Sequence, residues 1–172
     1  IYRLRRALGK NSVLLDQEIY RFNNALDYEY DVEVFLREYA LARNTNEATK
    51  KLAHLHKAIE SYNGLYLGEI DEPWAINHRE CLAQNLLSLL LQISEIYLDN
   101  NNFDLAMQFC QQALHEDNLS EDAYRLSLRI LYATGNRAGM VRQYQRCVEV
   151  LEKEINAVPS PQTEALYQEL LR

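Results

Sequence analysis

Residues 87–120, LSLLLQISEIYLDNNNFDLAMQFCQQALHEDNLS, and residues 121–154, EDAYRLSLRILYATGNRAGMVRQYQRCVEVLEKE, decide the fold. They are two segments of equal length whose residue sizes recur in step. Counting from Leu87, the fourth, seventh and eleventh positions hold Leu90, Ile93 and Tyr97; counting from Glu121 they hold Tyr124, Ser127 and Leu131. The fifteenth position is Asn101 and then Gly135, both turn formers. The twentieth, twenty-fourth and twenty-seventh are Ala106, Cys110 and Ala113, then Met140, Tyr144 and Cys147. A repeat of this length with large, small and turn residues at those places is a helical hairpin, and two in tandem bury a shared face by stacking.

The spacing fits the tetratricopeptide type of helix pair, and the expected fold is all-α, a tetratricopeptide-like α-α superhelix of about seven helices. Composition agrees: 172 residues, 48% hydrophobic and 25% charged, with 5 Gly and 3 Pro. Apolar runs such as Leu86 to Leu91 are interrupted by polar residues and fall short of the roughly 20 residues that span a bilayer. No membrane segment or secretory leader is expected. Three cysteines without a Cys-x-x-Cys pair argue against a disulfide framework and for a reducing, cytoplasmic setting. Cys110 and Cys147 take inward repeat positions and read as buried, inert thiols.

Helix signals extend the pattern in both directions. Asp31 can cap a helix to about Arg43, and Thr45 or Asn46 can start another ending near Asn63-Gly64. Pro73 opens a third that runs to Asp99 or breaks near Gln84. Helices are predicted over 103–116, 120–134 and 137–154, and Ser160-Pro161 starts a last one through Leu171, with Leu166 and Leu170 as core contacts. Trp74 reads as a core anchor between the second and third of these helices, with a surface role as the alternative.

The N-terminal piece differs in kind. Residues 1–22 hold Arg3, Arg5, Arg6, Lys10 and Arg21 against Asp16 and Glu18, a net charge of +3 where the remainder carries −10. The acidic body is repelled by nucleic acid. Ile1, Leu4 and Leu8 form one helical stripe and Arg3, Arg6 and Lys10 another, with Gly9 as a left-handed cap. Val13 to Leu15 and Ile19 to Phe22 flank a polar turn, the pattern of a β-hairpin. A helix already under way at Ile1 implies that the piece starts inside a larger protein.

The segment Tyr2 to Gly9, followed by Tyr20-Arg21-Phe22, resembles the end of the recognition helix and the wing of an OmpR/PhoB-type winged helix. Asp31-Val32-Glu33-Val34-Phe35, Tyr66-Leu67-Gly68-Glu69 with Pro73-Trp74, Arg79-Glu80-Cys81-Leu82, and Glu154-Ile155 with Pro159-Ser160-Pro161 resemble the bacterial transcriptional activator domain. That module follows such winged helices in Streptomyces-antibiotic-type regulators. The resemblance implies a winged-helix remnant over 1–27 and the activator domain over 28–172. Ile19 and Asn156 stand where the family usually has Gly.

These features point to a binding role. The resemblance makes Arg3, Arg6, Lys10 and Arg21 DNA contacts of the full-length protein, with binding weak or absent for this piece alone. Stacked repeats bind proteins on their concave side. Leu91, Glu95, Arg125, Arg129 and Tyr132 are the expected lining, beside Ser88, Leu98 and Asp122. Arg125 and Arg129 either grip a partner's carboxylates or pair with Glu95 and Asp122. Expected partners are a second copy of the chain, RNA polymerase or a sensor module; the rival reading is a stand-alone repeat adaptor unconnected with transcription. A small-molecule sensor using a groove near Trp74 is a third. The carboxylates read as solvent-facing. His54, His56, His78 and His115 lack metal-ligand spacing, and neither nucleophile nor phosphate-loop motifs occur, so no enzyme, metal or cofactor is expected.

Overall fold

A computed structural model describes residues 1–172 and holds eight helices and one hairpin. In chain order these are α1 (Tyr2–Leu8), β1 (Val13–Asp16), β2 (Ile19–Phe22), α2 (Asp31–Arg43), α3 (Ala48–Ser61), α4 (Pro73–Asp99), α5 (Phe103–Glu116), α6 (Glu121–Ala133), α7 (Arg137–Ile155) and α8 (Pro161–Leu171). Successive helices from α2 to α7 pack pairwise and α8 lies on α6, so the chain is an all-α superhelix of seven helices behind a short helix and hairpin.

The repeat is written in backbone geometry as well as in side-chain size. Asn101 and Gly135 both take left-handed conformations, with φ of 57° and 69°. Asn102 N–H reaches Tyr97 O at 2.8 Å, and Asn136 N–H reaches Leu131 O at 2.9 Å. These bonds close the ends of α4 and α6 in one Schellman-like way, supplying partners for carbonyls that the helix leaves unpaired. The side chains of Asn102 and Asn136 then cap α5 and α7 by accepting from Leu105 N–H and Gly139 N–H. One turn is thus used twice, in register with the repeat.

Packing between neighbouring helices uses small residues. Ser94 is fully buried on α4 and donates to Ala106 O of α5 at 2.7 Å; the Cys110 thiol donates to Ala123 O of α6 at 3.1 Å. The main core gathers Phe35, Tyr39, Leu55, Leu86, Leu89, Leu90, Ile93 and Phe109 around α4. α4 is continuous for 27 residues, roughly 40 Å, and does not break at Gln84. Neither Gly nor Pro follows Pro73 within it. By length and composition α4 alone is apolar enough to cross a membrane, a test that the core helix of a folded protein also passes. Its stripe of Leu82, Leu86, Leu89 and Ile93 is buried against α2, α3 and α5 instead.

Several expectations need correction. Trp74 is 57% exposed and anchors nothing, because its neighbour Ala75 takes the buried face one helical step away. Asp31 is the first residue of α2 rather than its cap: Tyr30 precedes it, and Asp31 Oδ1 accepts from Val32 N–H at 2.8 Å. α3 starts at Ala48, later than expected. Gly9 has φ 97° and ψ 154°, an extended glycine conformation and not a left-handed helical cap. Leu166 and Leu170 are half-buried, and the deepest residue of α8 is Thr163. By contrast Asn156, at the family's glycine position, does take the left-handed cap, with φ 53° and ψ 43°.

Candidate partner-binding groove

Spacing of four residues puts Leu91 and Glu95 on one face of α4, and Arg125 and Arg129 on one face of α6. The two helices bring those faces together. Leu91, Glu95, Asp122, Arg125, Leu126 and Arg129, closed at one end by Leu166 of α8, line a cleft of about 300 Å3. Four of the five expected groove residues therefore converge. Tyr132 does not join them: it lines a separate hollow of about 200 Å3 with Gly135, Arg137, Met140 and Leu170. Helix α8 is the divider. Ser88 and Leu98 are also elsewhere, Ser88 accepting from Tyr39 OH at 2.8 Å and Leu98 buried beneath α5 and α6.

The two arginines are not equivalent. Arg129 Nη1 lies 2.9 Å from Glu95 Oε1, and both side chains are about half exposed. An exposed pair of this kind contributes about 0–1 kcal/mol and exchanges partners readily. Arg125 is far more enclosed: Nη1 donates to the buried Thr163 Oγ1 at 2.8 Å, and Nη2 pairs with Asp122. Glu121, one turn before Arg125, accepts from both the backbone N–H and the hydroxyl of Ser160 at 2.8 and 2.7 Å. Burial works to raise the Glu121 pKa, but hydrogen bonds from Thr163 and Ser160 hold the carboxyl below its ordinary value. Arg125 and Glu121 thus clamp the start of α8. Stacked Tyr144 and Tyr167 rings, 3.8 Å apart, and Arg137 Nη2 donating to Leu171 O at 2.6 Å hold the rest of it.

At the other end of the chain the basic residues are dispersed. Arg3 and Arg6 are exposed on α1, whereas Lys10 lies beyond its end at Leu8 and leaves the expected stripe. Arg21 on β2 sits 3.8 Å from Asp16. Arg5, not singled out from the sequence, donates twice to Val13 O at 3.1 and 2.7 Å and ties α1 to the hairpin. Ile1, Leu4 and Leu8 remain exposed, as do Leu15, Ile19 and Tyr20.

One charged centre escaped the sequence reading. Glu38 is buried on α2, with His54 Nδ1 at 2.8 Å, Lys57 Nζ at 2.9 Å and Arg37 Nη2 at 3.4 Å. Hydrogen bonds from His54 and Lys57 pull its pKa down to about 2 despite burial. The signal available was position: Phe35, Glu38, Tyr39 and Ala42 form one helical stripe, so Glu38 faces the core with its neighbours. The cysteines fall as expected, Cys110 and Cys147 buried and Cys81 exposed. Burial pushes the two inner thiols up to about 12 and about 11.

The model of the family described as "Bacterial transcriptional activator domain" matches residues 30–171. A comparison with curated proteins gives no match. Among solved structures, EmbR of Mycobacterium tuberculosis, determined in complex with a low-affinity phosphopeptide, superposes with a TM-score of 0.79 at 16% identity. The alignment covers 99% of this chain and 48% of EmbR, so the chain spans about half the length of that relative.

Proposed function

Because this chain belongs to the bacterial transcriptional activator domain family, we propose that it is the protein-contact module of a DNA-binding transcription regulator in the cytoplasm. It works by binding and not by catalysis. Residues 1–27 are read as the end of a winged helix, with Arg3, Arg6, Lys10 and Arg21 directed to DNA phosphates, and residues 28–172 as the activator domain. Exposed apolar side chains on α1 and the hairpin support that division, since a helix and one hairpin have no room for a core of their own.

The observation that carries the reading is the cleft between α4 and α6 with Arg129 at its open side. Its ion pair with Glu95 is solvent-accessible and weak, so an acidic segment of a second copy, of RNA polymerase or of a sensor module can take over the guanidinium at little cost. Arg125 has the other role, holding α8. An anionic protein segment is a natural occupant for an arginine-lined cleft.

Two measurements test the proposal. Light scattering of the chain, with and without Arg129→Glu, reports self-association; the acidic substitution should weaken any dimer while leaving helicity intact. Fluorescence anisotropy at low salt should show weak, sequence-indifferent binding to duplex DNA. Tight, sequence-selective binding by this chain would refute the assignment of residues 1–27 as a remnant lacking the base-reading part.

A further inference from the structure

A separate hollow lies where the start of α2, the end of α3 and the loop before α4 meet. It encloses about 250 Å3. Its walls are aromatic: Phe35, Tyr62, Tyr30 and Tyr66, with Leu82 of α4 also lining it. The Phe35 and Tyr62 ring centroids are 5.5 Å apart, and Tyr30 OH donates to Tyr66 OH at 3.2 Å. The lining contains one charged side chain, Asp31, and no basic one.

The loop that forms the outer wall is held in place before any ligand arrives. Arg79 of α4 donates to three of its carbonyls, Tyr66 O at 3.0 Å, Leu67 O at 2.7 Å and Ile70 O at 3.0 Å. Gly64 and Leu67 have positive φ, 102° and 45°. A loop tied down this heavily in conformations that side chains rarely adopt is pre-shaped, which lowers the ordering cost of binding. Asp31 is fixed as well, with Oδ1 on Val32 N–H and Oδ2 accepting from Asn63 Nδ2 at 3.1 Å. Each carboxylate oxygen keeps a lone pair for a further contact.

The chain that leads into the hollow is acidic, and Asp31 is the carboxylate it contributes to the lining. The segment Asp27-Tyr28-Glu29-Tyr30-Asp31-Val32-Glu33 alternates carboxylates with larger side chains. Of the cations on the adjoining segments, Arg37 and Lys57 are committed to Glu38 and Arg79 to the loop carbonyls. The positive end of the α2 dipole also points here, and its roughly half charge is offset by the Asp31 carboxylate in the lining. Burial and the contact with Tyr66 raise the Tyr30 pKa, so that phenol stays neutral. No basic side chain lines the hollow to balance an anion.

We infer that this aromatic hollow is a binding site for a small organic cation, an ammonium group carrying apolar substituents. Aromatic faces attract a weakly hydrated cation through their quadrupoles, and a carboxylate at the rim adds a charge partner. The volume is generous for one ring, since a cavity of about 150 Å3 already holds benzene. A ring with a trimethylammonium-sized group fits the remainder. The site is independent of the cleft between α4 and α6 and does not rest on the reading given to it.

Calorimetric titration of the whole chain with benzyltrimethylammonium, benzyl alcohol and benzoate tests the inference. The cation should bind at least about fivefold more tightly than the neutral alcohol, and benzoate should give no heat. Asp31→Asn, which keeps the Val32 contact, and Tyr66→Leu should each weaken the cation at least about fivefold with unchanged circular dichroism. Trp74→Ala, which removes an exposed ring outside the lining, should leave the affinity unaltered. Equal binding of cation and alcohol, no measurable binding, or loss only in Trp74→Ala would each overturn the assignment.

Discussion

Replacing Gly135 by alanine isolates the backbone cost of the repeat turn. No atom lies within 4 Å of the place a Cβ would occupy at this residue, so the substitution meets no clash. What it meets is φ of 69°, a region that costs an L residue about 1–2 kcal/mol. The same turn at Asn101, φ 57°, is tolerated by an Asn side chain. Gly135→Ala should therefore destabilise by about 1–2 kcal/mol, lowering Tm by roughly 2–8 °C for a chain of this size. Gly135→Asn should recover most of that loss, and Asn101→Gly should be neutral or slightly stabilising. Urea melts tracked by circular dichroism, with the slope of the transition unchanged, give these differences directly. If Gly135→Ala leaves the midpoint where it was, or if Gly135→Asn is as damaging as the alanine, the two turns are not conformational equivalents and the shared repeat geometry is wrong.

The packing leads to three more expected outcomes. Trp74→Ala should change stability by no more than about 0.5 kcal/mol, as for an exposed residue, where a core tryptophan would lose about 3–5 kcal/mol; native emission should be that of a solvated indole. Glu38 titrates near 2 in the fold, below its ordinary 4.5, so its contribution is complete above about 5 and is lost as pH falls from there toward 2. Glu38→Gln should accordingly lie below the parent in stability at neutral pH, with the gap closing on acidification; a constant gap would refute the ion cluster. A thiol reagent should modify Cys81 alone in the native chain and all three cysteines in denaturant, because burial keeps Cys110 and Cys147 protonated.

The structure also separates two properties that one sequence spacing had merged. Arg125 and Arg129 share a face of α6, yet α8 arrives over the first and not the second. Thr163 and Ser160 then convert Arg125 and Glu121 into a structural clasp, while Arg129 keeps access to solvent. The same helix cuts Tyr132 away from the cleft. No feature of α6 itself announces this. The information lies in residues about forty positions further along, and in the direction α8 takes after Asn156.

What the sequence determined was local. Asn101, Gly135 and Asn156 place left-handed turns because few residues take positive φ at small cost, and Asn102, Asn136 and Ser160 precede helices as cap residues do. The range of α5, the phase of both repeats and the inward thiols come from signals that act within one or two helical turns. Tertiary structure alone decided which faces meet. Trp74 is exposed because Ala75 takes the contact beneath α4, Glu38 stays charged though buried because His54 and Lys57 of the next helix reach it, and α4 stays whole because its neighbours cover its apolar stripe. Those outcomes depend on the rotation and reach of helices distant in sequence, where a shift of one residue turns a side chain by about 100° and moves it from core to water.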